Sequence, residues 1–433
     1  MQQGMREMRL WRPILCIYGR LHIDCKRETG TKTLDELPAL MASRQAILGP
    51  WLDNPDDRAR LYDLATTDQQ ALADVAEYAA FYGLVDVLQT IHDGAAAKRT
   101  LFTFCVLNHA RALYQLAAFH AHAPIAEYLR SVQYYSTHAG GGWTYYSDLE
   151  IAVERGHLEY VDFLWNTNPA DVVYPCDHDV TYSEGSRLSV LDAASASGHL
   201  ELVRFLHGRN VECTTYALDQ AATNGHLDVV RFLVEHCKRC TTDAMDGAAA
   251  NGHFNIVQFL QAKRTEGCTS NAMDDAAFHG HTDIVRFLHS FYPDEGGCTV
   301  EVMNAYASRG DLAMVEWLDV HRLEKCSPRA LNGAASGGHL AVVQYLIQHK
   351  LAKYSAPAIQ GAVEGGFLDV VQYLHTLKPG VCVAKWMQRA HKANHEAVVE
   401  YFDSHRCKCC QHASTESLVN VKPPTAKKSR RKY

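Results

Sequence analysis

The chain has 433 residues, of which 47% are apolar and 21% charged, with a formal net charge of −7. That length exceeds what one hydrophobic core usually organises, and no run of about 18 apolar residues exists to cross a membrane. The charge is unevenly placed. From residue 421 onward Lys422, Lys427, Lys428, Arg430, Arg431 and Lys432 stand without an acid, leaving 36 Lys and Arg against 49 Asp and Glu elsewhere, a balance of −13. An acidic body repels phosphate backbones, so direct nucleic-acid binding by it is not expected.

Taken in chain order, residues 1–33 match no period and read as an irregular or flexible extension. Arg6, Arg9 and Arg12 precede an apolar stretch (ILCIYG) bracketed by Pro13 and Arg20, too short for a signal peptide. The chain therefore reads as intracellular, and Met41 is an alternative start. Residues 34–70 read as a helical cap, because a stack of repeats needs a closing element with a polar outer face. Residues 71–405 carry a recurring phrase. Its clearest form, Gly225-His226-Leu227-Asp228-Val229-Val230-Arg231-Phe232-Leu233, returns from Gly198, Gly252, Gly280, Gly338 and Gly366, with weaker copies from Gly83, Ala121, Gly156, Gly310 and Asn394. The eleven anchors are spaced 38, 35, 42, 27, 27, 28, 30, 28, 28 and 28 residues apart. Self-similarity at such a period predicts stacked supersecondary units, a surface that holds partners, and no enclosed catalytic pocket.

Residues 213–233 show how one unit is predicted to work. Thr214 or Thr215 caps a first helix, its hydroxyl accepting an orphan backbone N–H. Leu218, Ala221 and Ala222 recur at helical spacing and form its buried stripe, the alanines allowing close approach of neighbouring helices. Gly225 ends the helix, where positive φ costs glycine little; Asn394, at the last anchor, is the next best residue for that conformation. The second helix buries Val229, Val230, Phe232 and Leu233 and turns Asp228 and Arg231 to water. One first-helix position, following a Leu or Met in most copies, holds Glu77, Gln115, Glu150, Asp192, Asp219, Asp246, Asp274, Asn304, Asn332, Gln360 and Gln388. This column reads as a hydrogen-bond ladder to loop N–H groups of neighbouring units. Its members are too far apart to converge on a cation. His122, His157, His199, His226, His253, His281, His339 and His395 follow the anchor and read as structural bonding groups.

These residues resemble the ankyrin repeat, which pairs two antiparallel helices and has a T-P-L-H-x-A-A pattern followed by Gly-His. The repeats here are mostly 27–28 residues, against about 33 in that family. The deficit falls between the second helix and the next first helix, where the family carries a β-hairpin finger, and an earlier Cys-Thr opening replaces the Thr-Pro. The resemblance implies an all-α, ankyrin-type solenoid of about eleven helix-turn-helix repeats with reduced hairpin fingers. It further implies a non-catalytic protein-interaction scaffold.

Cys213, Cys240, Cys268, Cys298, Cys326 and Cys382 each open the same motif. Equivalent positions in stacked units lie about 10 Å apart, beyond the reach of a disulfide, so they read as half-buried thiols in a reducing compartment. Cys237-Lys238-Arg239-Cys240 is a C-x-x-C with no second pair to complete a metal site. His405, Cys407, Cys409, Cys410 and His412 cluster, but adjacent cysteines suit tetrahedral zinc poorly. No Walker phosphate loop, G-x-S-x-G, H-E-x-x-H or kinase set occurs. No catalytic residue, metal or cofactor is therefore expected. Residues 406–433 read as a disordered cysteine-containing and basic tail. Within it Lys427, Lys428, Arg430, Arg431 and Lys432 look like a nuclear-import signal.

Two surfaces could take a protein partner. One is an irregular aromatic connection with Tyr134, Tyr135, Trp143, Tyr145 and Tyr146 about a triple glycine, since Tyr and Trp are enriched in binding hot spots. The other is the inner groove, the concave face of the first helices: Tyr216, Gln220 and Asn224; Asp243, Gly247 and Asn251; Asn271, Asp275 and His279; Glu301, Ala305 and Arg309. These positions, four apart, share a helical face, and that face varies while the buried stripe does not. The expected molecule is a cytoplasmic, monomeric scaffold or adaptor. A nuclear adaptor or transcriptional co-regulator imported by the tail, and a substrate-recruiting subunit of a ligase complex docked through residues 34–52, are the alternatives.

Overall fold

The computed structural model describes residues 30–54, 61, 69–97, 110–132, 148–167, 189–237, 240–292, 299–321, 327–379, 381–406 and 410. These residues form 23 helices and no strand. The chain falls into two compact units, Met1–Cys240 and Thr241–Tyr433.

The first unit begins with α1 (Gly30–Asp53) and continues in five helix pairs: α2 and α3 (Gln69–Tyr82, Val85–Ala97), α4 and α5 (Ala110–Phe119, Ala123–Ser131), α6 and α7 (Asp148–Glu154, Leu158–Thr167), α8 and α9 (Val190–Ala196, Leu200–Gly208), and α10 and α11 (Thr215–Thr223, Leu227–His236). The second unit holds six pairs. They are α12 and α13 (Asp243–Ala250, Phe254–Lys263), α14 and α15 (Ser270–His279, Thr282–Phe291), α16 and α17 (Val300–Arg309, Leu312–His321), α18 and α19 (Pro328–Ser336, Leu340–Gln348), α20 and α21 (Ala356–Gly365, Leu368–Leu377), and α22 and α23 (Ala384–Lys392, Glu396–Ser404). Within each unit first helices pack on first helices and second on second, so each is an α-solenoid of helix-turn-helix repeats.

The eleven anchors mark the turns between paired helices. All take left-handed φ, from 60° at Asn394 to 88° at Gly280. The core is the repeating stripe: in one repeat Leu218, Ala221 and Ala222 pack with Val229, Val230 and Leu233, each at most 1% exposed. Burying a Leu or Val side chain is worth about 1.5–3 kcal/mol, so every repeat carries its share of the core. The alanines are wholly buried, and their small size lets adjacent first helices approach closely. Asp228 and Arg231 are exposed, as the pattern requires.

α1 covers the open side of α2. It buries Leu37, Met41, Leu48 and Leu52 and turns Ala42, Ser43, Gln45 and Ala46 outward. Arg44 Nη1 donates to Glu77 Oε2 at 2.9 Å in a buried ion pair, and Tyr78 Oη donates to Gln45 Oε1 at 2.8 Å. Glu77 heads the carboxylate and amide column, yet its carboxylate turns back to the cap rather than forward to a loop.

Candidate protein-binding face

The first helices owe their rigidity to bonds that cross from repeat to repeat. Ser189, Thr214, Thr269, Thr299, Ser327 and Ser355 are N-caps whose hydroxyls accept a backbone N–H. Several hydroxyls also donate to the column residue of the repeat before. Thr214 gives its N–H and hydroxyl to Asp192, both at 2.9 Å; Thr299 gives both to Asp274 at 2.8 Å; Thr269 treats Asp246 the same way. Where the column residue is Asn304 or Asn332, Ser327 or Ser355 supplies the hydroxyl. The ladder expected from the sequence is present at these positions, and its rungs are the N-caps themselves. Burial raises the pKa of Asp192, Asp246 and Asp274 from the ordinary carboxylate value, against the lowering effect of these bonds.

The anchor histidines form a second lock. Nε2 of His122, His157, His199, His226, His339 and His395 donates to a carbonyl at the end of the preceding first helix, over 2.8–3.1 Å. The imidazoles also rest on the preceding anchor. A Cβ added to Gly310 would stand 2.3 Å from His339 Nδ1, and one on Gly198 would stand 2.4 Å from His226 Nδ1. Glycine is needed there for its φ and again for its missing side chain. At three repeats the histidine is absent, Leu84 taking its place in the first. Phe367 lays its ring against Gly338 instead. Where Asp311 stands in the histidine slot, Arg309 takes over: its guanidinium covers Gly280 and donates to Phe278 O at 2.8 Å.

This lock sorts the candidate face. Arg309 is committed to the preceding repeat, as is Asn224, whose Nδ2 donates to Ala196 O at 2.8 Å. Asn251 returns its amide to Gly247 O of its own helix, and His279 Nδ1 bonds Asp275 O. Glu301 joins Arg329 Nη1 at 3.1 Å and accepts from Asn304 Nδ2. Tyr216, Gln220, Gly247 and Ala305 are half-buried. Asp243, Asn271, Asp275 and His279 are exposed. Beside them Phe278 is 69% exposed, an apolar ring on this face that the sequence pattern did not single out. The four-residue spacing found the face but could not separate its bracing residues from its open ones, because that depends on which carbonyls of the preceding repeat each side chain meets.

The aromatic residues Tyr134, Tyr135, Trp143, Tyr145 and Tyr146 lie outside the described residues, as do Lys427, Lys428, Arg430, Arg431 and Lys432. Cys298 and Cys326 lie outside them too. Cys213, Cys240 and Cys268 are half-buried as expected, whereas Cys382 is exposed, because it sits in the opening of the last repeat pair. Among the described residues no group of His, Cys, Asp or Glu is arranged to hold a metal ion. No helix among them is long and apolar enough to cross a membrane.

The family model for ankyrin repeats, in three copies, matches residues 149–246 and 190–274. A search of curated proteins returns no match. Ankyrin repeats generally mediate protein–protein interaction, and ankyrin-repeat proteins are typically non-catalytic binding scaffolds. The matched residues, 149–274, are ankyrin repeats, among them those with the His199 and His226 bonds and the Asp192–Thr214 rung, and helix pairs of the same build continue on both sides.

Proposed function

We propose that the protein is a non-catalytic adaptor that binds a partner protein through the inner-groove face of its first helices. The observation that carries this reading is the contrast within that face. In the second unit, positions that brace the stack are bonded to neighbours, while Asp243, Asn271, Asp275 and His279 are exposed beside Phe278 on the neighbouring helices α12 and α14. A face combining one large exposed ring with varied polar groups suits a protein surface, where an aromatic anchor supplies most of the energy and the rim sets specificity.

The test is to isolate a partner on the intact chain and map hydrogen exchange with and without it. Protection on α12 and α14 supports the reading. Protection confined to the second helices, or to residues 133–147, contradicts it.

A further inference from the structure

The thiols of Cys382 and Cys410 approach to 3.5 Å. Cys410 follows Cys382 by 28 residues, one repeat period, yet the two sulfurs stand far closer than the roughly 10 Å expected between the openings of stacked repeats. One lies in the opening that precedes α22, the other beyond the end of α23, so the contact closes a single repeat at its base. The two thiols differ in access: Cys382 is exposed and Cys410 is 3% exposed. The same junction of another repeat, around α10 and α11, brings together the thiols of Cys213 and Cys237. A thiol pair at the base of a repeat therefore occurs in both units.

We infer that Cys382 and Cys410 are a peroxide-oxidisable dithiol whose disulfide fastens the chain beyond α23 to the opening of the last repeat. The exposed Cys382 is the thiol a hydroperoxide can reach. Its thiolate attacks one peroxide oxygen, the O–O bond breaks, and the departing hydroxide takes up a proton to become water, leaving a sulfenic acid on Cys382. The Cys410 thiolate then attacks that sulfur and displaces hydroxide, which is protonated to a second water as the S–S bond forms. The two sulfurs together lose two electrons and the peroxide gains them. Burial beside its partner shields Cys410 from direct oxidation and places it to resolve the sulfenic acid before it goes further. The bond ties the stretch leading into the basic C-terminal run to a folded repeat, and a dithiol reductant reverses it.

The experiment uses the full chain, reduced and then exposed to hydrogen peroxide, digested without reductant and read by mass spectrometry. The expected product is a disulfide-linked peptide pair containing Cys382 and Cys410. It persists in Cys409→Ser, disappears in Cys410→Ser and in Cys382→Ser, and is reversed by dithiothreitol. Hydrogen exchange through α22 and α23 should slow on oxidation of the wild-type chain and stay unchanged in Cys382→Ser. The inference is overturned if Cys382 proceeds to sulfinic acid without a link. Pairing of Cys382 with Cys407 or Cys409 overturns it as well, as does oxidation that leaves exchange in α22 and α23 unaltered.

Discussion

Replacing Gly310 by alanine perturbs the repeat junction in two ways that can be separated. The backbone there has φ 79°, and holding a residue with a Cβ in the left-handed region costs about 1–2 kcal/mol. The new Cβ would also stand 2.3 Å from His339 Nδ1, so the imidazole must move, and with it goes the 3.1 Å bond from Nε2 to Ser308 O, worth about 1 kcal/mol net. Gly310→Ala should therefore destabilise its surroundings by about 2–3 kcal/mol in sum. In a stack the damage spreads mainly to adjoining repeats, so native-state hydrogen exchange is the suitable assay, with faster exchange expected from α16 through α19. Ala121, with φ 61°, shows that alanine can occupy an anchor. The discriminating variant is Gly310→Ala with His339→Ala, which keeps the φ cost but removes the ring. Its destabilisation should fall short of the sum of the two single changes by about 1 kcal/mol, as coupled neighbours do. Strict additivity would refute the claim that the imidazole rests on the glycine, and unchanged exchange in Gly310→Ala would refute the placement of the turn.

The rung between Asp274 and Thr299 yields a second expectation. Asp274→Asn keeps one acceptor oxygen for Thr299, as Asn304 keeps one for the Ser327 hydroxyl, and should cost under about 1 kcal/mol, whereas Asp274→Ala strands a backbone N–H and should cost about 1–3 kcal/mol by denaturant melting. In the cap, Arg44→Leu leaves Glu77 buried without its cation and should cost about 3–5 kcal/mol, while Arg44→Leu with Glu77→Leu should recover most of it; equal melts for the single and double variants would show that the pair is not buried in solution. The fourth concerns Asp192, whose folded pKa is raised by burial. A carboxyl so shifted contributes stability that is fully present below its unfolded pKa and is lost as pH rises through the folded value. Asp192→Asn, which carries no charge, should therefore gain on the wild type as pH rises from the unfolded value near 4. The opposite slope would show that the bonds from Ser189 and Thr214 outweigh desolvation.

Much of this architecture was legible because each repeat states its own rules. A residue that must take positive φ recurs at all eleven anchors, and a Ser or Thr cap, a buried Leu-x-x-Ala-Ala stripe and a Val-Val-x-Phe-Leu stripe are local requirements that return, intact or varied, at fixed offsets from it. The donor of each ladder rung was harder to read. Asp192 and Thr214 lie 22 residues apart and meet only because one repeat stacks on the next. The candidate face was legible as a face but not as a set of free residues. Arg309 and Asn224 look like surface positions by period, and only packing shows that they hold carbonyls of the preceding repeat. The opening cysteines were judged against each other, repeat to repeat. The contact of Cys382 with Cys410 keeps the 28-residue period, but it falls past the last anchor, where no further Gly-His phrase marks a repeat.

The account rests most heavily on the open part of the first-helix face. With a partner in hand, the decisive comparison is between a chain carrying Asp243→Ala, Asn271→Ala, Asp275→Ala and Phe278→Ala and a chain carrying Trp143→Ala and Tyr145→Ala, each measured for partner affinity and for thermal melting. The account predicts that the first chain loses at least about tenfold in affinity, equivalent to about 1.4 kcal/mol, at an unchanged melting temperature, while the second keeps its affinity. Full binding by the first chain, with affinity lost in the second, would move the binding site to the aromatic connection and contradict the account.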